Sequence, residues 1–193
     1  MKLKKSMIAT VALAGILALA PAFAQTSSTS TTTTKKTTKT TATSGLTAAD
    51  RKFFTNASQG GMLEVELGKI AAAKASNADV KTFGQRMVDD HSKANDQLKQ
   101  LAAQKSVTLS DKLSPAKQKV VDKYNKLSGA AFDSSYMSNM VTDHKEDVAE
   151  FQREAKSGKD SDLKSWAQTT LPTLQDHLKM AEDTKAKLHP KKK

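Results

Sequence analysis

The feature that most constrains the fold is a helical turn that occurs twice. Residues 73–85 read AKASNADVKTFGQ, and residues 155–168 read AKSGKDSDLKSWAQ, the same phrase with one extra residue. On both sides of each phrase, apolar residues recur three and four positions apart, which is the period of an amphipathic helix. Each phrase therefore predicts a turn between two antiparallel helices. Together they indicate a duplicated helical hairpin, and hence an all-α four-helix bundle of pseudo-twofold form.

Start and stop signals set the bounds of the predicted helices. Thr47 with Asp50 forms a capping-box pattern, and Asn77 is a cap for the second helix. Ser114-Pro115 predicts an extra short helix in the connection between the second and third long helices. Pro172 is expected to kink or split the last helix. The four long helices are expected at 48–75, 78–104, 130–156 and 161–188.

The two ends of the chain have compositions unlike the rest. Residues 1–24 combine a basic start, an apolar run and the small-residue pattern Ala22-Phe23-Ala24, which is typical of a cleaved signal peptide. Residues 25–45 are rich in Ser, Thr and Lys and predict a disordered linker. The predicted domain is 46–188, and 189–193 is a basic tail. A periplasmic or secreted location follows as an expectation.

Composition excludes several classes of protein. The chain has no cysteine, which rules out thiol chemistry and Cys-type zinc sites. The formal charge of +11 lies mostly in the two ends, because residues 46–190 hold 22 basic and 20 acidic side chains. We therefore expect no nucleic-acid partner. The basic tails fit contact with an anionic envelope surface, and the chain is expected to be a monomer or a dimer.

Three of the four histidines end near-copies of one phrase: DDH at His91, TDH at His144 and QDH at His177. Each lies on the apolar stripe of a different predicted helix. Counted from the hairpin turns at 1.5 Å per residue, all three fall near mid-height, as does Glu64 of the phrase LEVEL. One layer of the core is therefore predicted to hold three imidazoles and a carboxylate.

Such a layer has the ligand types of a transition-metal site. Neutral imidazole binds zinc, copper and iron, and three histidines with one glutamate make a four-ligand set for one ion. By helical position alone, Glu64 and Glu66 flank the core stripe equally. The acidic residues that precede the histidines either orient the rings or face solvent, and we favour solvent; they are Asp90, Asp143 and Asp176.

The segments around these residues carry a family resemblance. The phrases GGMLEVELGKIAAAKASNADVKTFGQRMVDDHSKAN, AFDSSYMSNMVTDHKEDVAEF and LPTLQDHLKMA resemble the bacterial family called domain of unknown function 4142. The resemblance implies a ferritin-like fold and export, favours Glu64 over Glu66, and supports the three histidines as a set. It implies no activity. Ferritin-like di-iron enzymes place Glu three residues before a ligand histidine, where this chain has Val88, Val141 and Leu174.

Two functions remain open from the sequence. One is an exported structural, interaction or stress-related protein without catalysis, in which the His/Glu layer is metal-free. The alternative is a protein that holds one zinc, copper or iron ion through Glu64 and the three histidines. A metalloenzyme is a third reading, disfavoured by the missing carboxylates, and no catalytic residue is assigned.

Overall fold

The computed structural model describes residues 45–189, and in this range it consists of five α-helices and no strand. The all-α prediction is confirmed. The predicted signal peptide, the C-terminal lysines and all but the last residue of the predicted linker lie outside the described residues. The helices are α1 (Ala48–Lys74), α2 (Ala78–Gln104), α3 (Pro115–Asn125), α4 (Gly129–Ser157) and α5 (Ser161–Leu188).

The helix starts follow from their capping residues. Thr47 accepts a hydrogen bond from the Asp50 amide while the Asp50 carboxylate accepts one from the Thr47 amide, a complete capping box. Asn77 caps α2 through its side-chain oxygen, and Ser114 caps α3 with proline in the first turn. These contacts satisfy amides that would otherwise lack partners at the helix ends.

The four long helices run up, down, down and up. The turn between α1 and α2 contacts the start of α4, because Asp133 accepts hydrogen bonds from Ser76 and Asn77. At the opposite end, Lys105 after α2 pairs with Asp160 before α5. The connection from α2 to α4 therefore crosses the full length of the bundle, and α3 packs on α1 along this path.

Helices α1 and α2 approach most closely at two glycines. A Cβ at Gly68 would lie 2.7 Å from the carbonyl oxygen of Gly84, and a Cβ at Gly84 would lie 2.8 Å from that of Gly68. At Gly60 and Gly61, by contrast, α1 faces side chains, with Asn95 beside Gly61.

Helix α5 passes through Pro172 as one helix, so the expected split does not occur. Pro172 is exposed, and water can therefore reach the carbonyl that loses its amide partner. In the described part of the chain, no helix has the length and apolar character needed to cross a membrane.

Two apolar clusters fill the core. One surrounds Phe83, Tyr136 and Met140, and the other surrounds Phe53, Leu98 and Leu163. The buried polar residues Glu64, His91, His144 and His177 belong to neither cluster. They come from all four long helices and form what we call the His/Glu layer.

Candidate metal centre

The structure brings the four predicted site residues together. The ring centroids of His91, His144 and His177 lie 5.2–5.8 Å apart. Each ring offers one nitrogen within 4.8 Å of the nitrogens offered by the other two. Glu64 lies beside this group of three, with Oε2 at 2.6 Å from His91 Nε2 and Oε1 at 3.4 Å from His144 Nδ1, the ring nitrogen that faces Met140. All four residues are at most 6% exposed.

Two of the rings are oriented by partners outside the layer. His144 Nδ1 donates to the carbonyl oxygen of Met140 at 3.0 Å. His177 Nε2 donates to Asp90 Oδ2 at 2.8 Å, across from α5 to α2. These bonds leave His144 Nε2 and His177 Nδ1 as the nitrogens with a free lone pair. A histidine held by its other nitrogen is the usual arrangement around protein-bound metal.

The contact with Asp90 corrects one expectation. Neighbouring residues in a helix point about 100° apart, and this spacing predicts that the aspartates beside the histidines face solvent. Asp176 is indeed exposed. Asp90 is only partly exposed, since it turns along the α2 surface toward a histidine of another helix and also pairs with Arg86.

The inner atoms of the layer lack hydrogen-bond partners. Both Glu64 oxygens, His91 Nε2, His144 Nε2 and His177 Nδ1 are buried without an oriented hydrogen bond. Glu64 Oε2 and His91 Nε2 nevertheless lie 2.6 Å apart, within the distance of an ion pair, whereas His144 Nε2 and His177 Nδ1 have no such neighbour. Buried polar atoms are normally satisfied, and two ring nitrogens without a partner in a single layer need a physical reason.

The His/Glu layer holds a negative charge that its neutral rings do not balance. Burial by itself raises the pKa of the Glu64 carboxyl, but the imidazoles of His144 and His91 outweigh it and lower that pKa to about 2. Burial also lowers the pKa of His144, and it lowers the pKa of His177 to about 4. At pH 7 an ionised carboxylate therefore faces at least two neutral rings.

Glu64 and Glu66 have different surroundings, although the sequence placed them alike. Glu64 is 2% exposed, whereas Glu66 lies toward solvent and pairs with Lys69. The residues three before each histidine are the apolar Val88, Val141 and Leu174. The layer therefore has one carboxylate and cannot supply the bridges of a di-iron pair.

Sequence reasoning missed Asp147, which lies one turn beyond His144 on α4. It lines a small cavity of about 20 Å³ that also touches His91. Burial, followed by the charges of Glu64 and Asp143, raises the pKa of Asp147 well above its ordinary value. The three-residue spacing from His144 was the available signal, since such neighbours share a helix face.

Comparison with known proteins identifies the family. Residues 35–184 match the family described as "Domain of unknown function (DUF4142)". The crystal structure of a DUF305 fragment from Deinococcus radiodurans is similar, with a TM-score of 0.64 and 11% identity, over 74% of this chain and 98% of that one. At this identity the likeness shows the fold alone. No curated protein matches the chain. Because the family match covers most of the sequence, the chain belongs to the DUF4142 family.

Proposed function

We propose that this protein holds one transition-metal ion inside a ferritin-like four-helix bundle, with His91, His144, His177 and Glu64 as ligands. The observation that carries the proposal is the convergence of buried ligand atoms without hydrogen-bond partners on one layer. An ion placed between them would satisfy the nitrogen lone pairs and the carboxylate oxygens together.

The geometry and charge of the layer fit such an ion. Tetrahedral zinc with bonds of about 2.0–2.1 Å holds its nitrogens roughly 3.3 Å apart, so modest ring movements from the 4.8 Å limit would close the site. A divalent cation would also balance the Glu64 charge, which neutral rings cannot do. Three imidazoles and one carboxylate suit zinc, copper or iron.

The site as proposed is closed and non-catalytic. Four protein ligands fill a tetrahedral ion, whereas catalytic zinc sites keep a position for water or substrate. Storage, sensing or stress protection therefore fits the layer better than turnover. The predicted signal peptide and basic tails extend the proposal to the cell envelope, with an anionic surface as the partner.

A second function has one observation in its favour. The distance of 2.6 Å between Glu64 Oε2 and His91 Nε2 fits a direct carboxylate–imidazole pair with no ion between the two side chains. The layer would then be a metal-free polar layer of a structural or interaction protein. In that case the nitrogens His144 Nε2 and His177 Nδ1 stay unsatisfied, and for this reason we place the metal-free layer second.

Metal content and thermal stability separate the two functions. The protein, purified without a histidine tag, is dialysed, and its metal is counted; melting is then followed with added zinc, copper or iron. A ligand at about 100 times its Kd stabilises by about 2.7 kcal/mol, roughly 5–11 °C for a chain of this size. The shift should vanish in the double variant His91→Ala/His144→Ala and persist in His189→Ala, which removes an exposed histidine at the end of α5. Absence of both metal and shift in the parent would support the metal-free layer.

A further inference from the structure

We infer that the ion reaches the His/Glu layer through the seam between α1 and α4, with Asp147 as the carboxylate that receives it from solvent and passes it inward. This inference rests on the proposed function. It assigns a transient cation-binding residue and an entry route that the ligand set alone does not identify.

A small cavity lies directly beside the His/Glu layer. All four long helices line it, and Gly60 and Ala94 leave space where larger side chains would fill the core, whereas the Asn95 side chain occupies the space beside Gly61. Its volume of about 20 Å³ is enough for one water molecule, and therefore for a small ion that has lost most of its hydration shell. His91, which is 6% exposed and has its Nε2 2.6 Å from Glu64 Oε2, lines the same cavity.

Asp147 links this cavity to the outside. It is the one acidic residue in the cavity lining, and its residue surface is only partly buried. The carboxylate oxygen Oδ1 lies 3.9 Å from the point where a Cβ on Gly60 would stand. Asp147 thus faces α1 at a glycine, and α1 packs more loosely on α4 than on α2.

The charge along the seam favours cations over anions. Asp143, Asp147 and Glu150 follow one another at helical spacing on α4, and all three are partly exposed. Glu64 lies deeper and completes a line of carboxylates from surface to core. Negative side chains on low-dielectric walls concentrate cations and raise their rate of entry by about 10- to 1000-fold.

The three carboxylates on α4 lie along the path of the entering ion and do not form a second binding site. In the part of the chain that the structure describes, the group of ligand atoms close enough to hold an ion is that of the three histidines, with Glu64 beside it, and it includes none of the α4 carboxylates. A cation would therefore rest at Asp147 briefly and then move to His91. Because burial raises the pKa of Asp147, an arriving cation displaces the proton of this carboxyl group when it binds there. An Asn side chain, which offers no carboxylate, or a narrower cavity should therefore slow loading and leave the final stoichiometry at one ion per chain.

The kinetics of copper(II) loading test this route. The chain has a single tryptophan, Trp166, and it lines the same cavity, so bound copper(II) should quench its fluorescence. Stopped-flow mixing at low salt gives the loading rate for the parent and the variants. Asp147→Asn should load about tenfold more slowly, and loading of the parent should slow in high salt because screening weakens the attraction of the carboxylates for the cation. Asp96→Asn, an equal charge change at an exposed position on α2, should load like the parent.

A second variant keeps the test independent of charge. Gly60→Ala adds a methyl group at ordinary contact distance, so the fold should persist while the cavity narrows and loading slows. If Asp147→Asn or Gly60→Ala takes up copper(II) as fast as Asp96→Asn does, the proposed entry route is wrong. Loss of all saturable quenching in a folded Asp147→Asn protein would make Asp147 a ligand and also overturn it. Failure of the parent to bind copper(II), zinc or iron refutes the proposed function itself.

Discussion

Removal of the Asp133 carboxylate should destabilise the protein strongly, because this side chain fastens one helical hairpin to the other. Asp133 is 2% exposed at the start of α4. It accepts hydrogen bonds from the Ser76 amide at 3.1 Å, the Asn77 amide at 2.8 Å and the Ser76 hydroxyl. All three donors belong to the turn between α1 and α2, more than fifty residues away in the chain.

The magnitude follows from the number of bonds and their exposure. A hydrogen bond to a charged group contributes about 1.5–3 kcal/mol. Ser76 is exposed and Asn77 partly so, which lets water replace part of each lost bond. About 1 kcal/mol per bond gives a loss of about 3 kcal/mol for Asp133→Ala, or roughly 6–12 °C in Tm. Weaker metal binding should accompany it, because Asp133 sets the height at which His144 meets Glu64.

Urea unfolding followed by circular dichroism at 222 nm measures this loss directly. Asp133→Ala should lower the unfolding free energy without a change in the slope against urea. Asp122→Ala, an exposed aspartate on α3 that bonds only to a neighbouring glutamine, serves as the control and should leave the midpoint nearly unchanged. A loss below about 1 kcal/mol for Asp133→Ala would show that water or the Asn77 cap holds the turn, and the reasoning would be wrong.

Three further predictions concern charge, packing and metal release. The folded state raises the pKa of Asp147 above its unfolded value, so ionisation of this group costs stability as the pH rises above about 4. In chemical denaturation, Asp147→Asn should therefore be more stable than the parent at pH 7 and equally stable at pH 3. Gly68→Ala should lose about 1–3 kcal/mol, because its Cβ would meet the Gly84 carbonyl oxygen at 2.7 Å, whereas Gly60→Ala should lose none. Bound metal should leave as the pH falls toward about 4, since protons compete for imidazole and burial lowers the pKa of His177 to about 4, and full occupancy after dialysis at pH 3 would argue against histidine ligands.

The helices could be predicted because their signals are local. Thr47, Asn77 and Ser114 act as caps within four residues of where they stand, and the apolar spacing between turns admits no other period. The His/Glu layer could also be predicted from the sequence. Residues at mid-height on long helices lie at the same level whether the connection between the hairpins is short or crosses the whole bundle. The direction of α4 could not be predicted from the sequence, because it depends on the contact of Asp133 with a turn that is far away in the chain.

The surroundings of the histidines were harder to predict for a related reason. A helical wheel gives the direction of a Cα–Cβ bond, and from that direction Asp90 should face solvent. Its carboxylate nevertheless reaches His177, because α2 and α5 are adjacent and the side chain turns along the helix surface. Likewise, the choice between Glu64 and Glu66 depended on the rotation of α1, and its close approach to α2 at Gly68 and Gly84 fixes that rotation.

The hydrogen bonds around the histidine rings help to decide between the two functions proposed for the His/Glu layer. A purely structural layer gains stability when each buried polar atom has a partner, and it gains nothing from lone pairs directed at one another. Here the outer nitrogens of His144 and His177 are satisfied by Met140 and Asp90, whereas their inner nitrogens are not. Hydrogen bonds thus fix which nitrogen of His144 and which nitrogen of His177 faces the centre. This division between satisfied outer atoms and free inner atoms is the arrangement that a metal ion requires, and it is what separates the proposed centre from an ordinary buried polar layer.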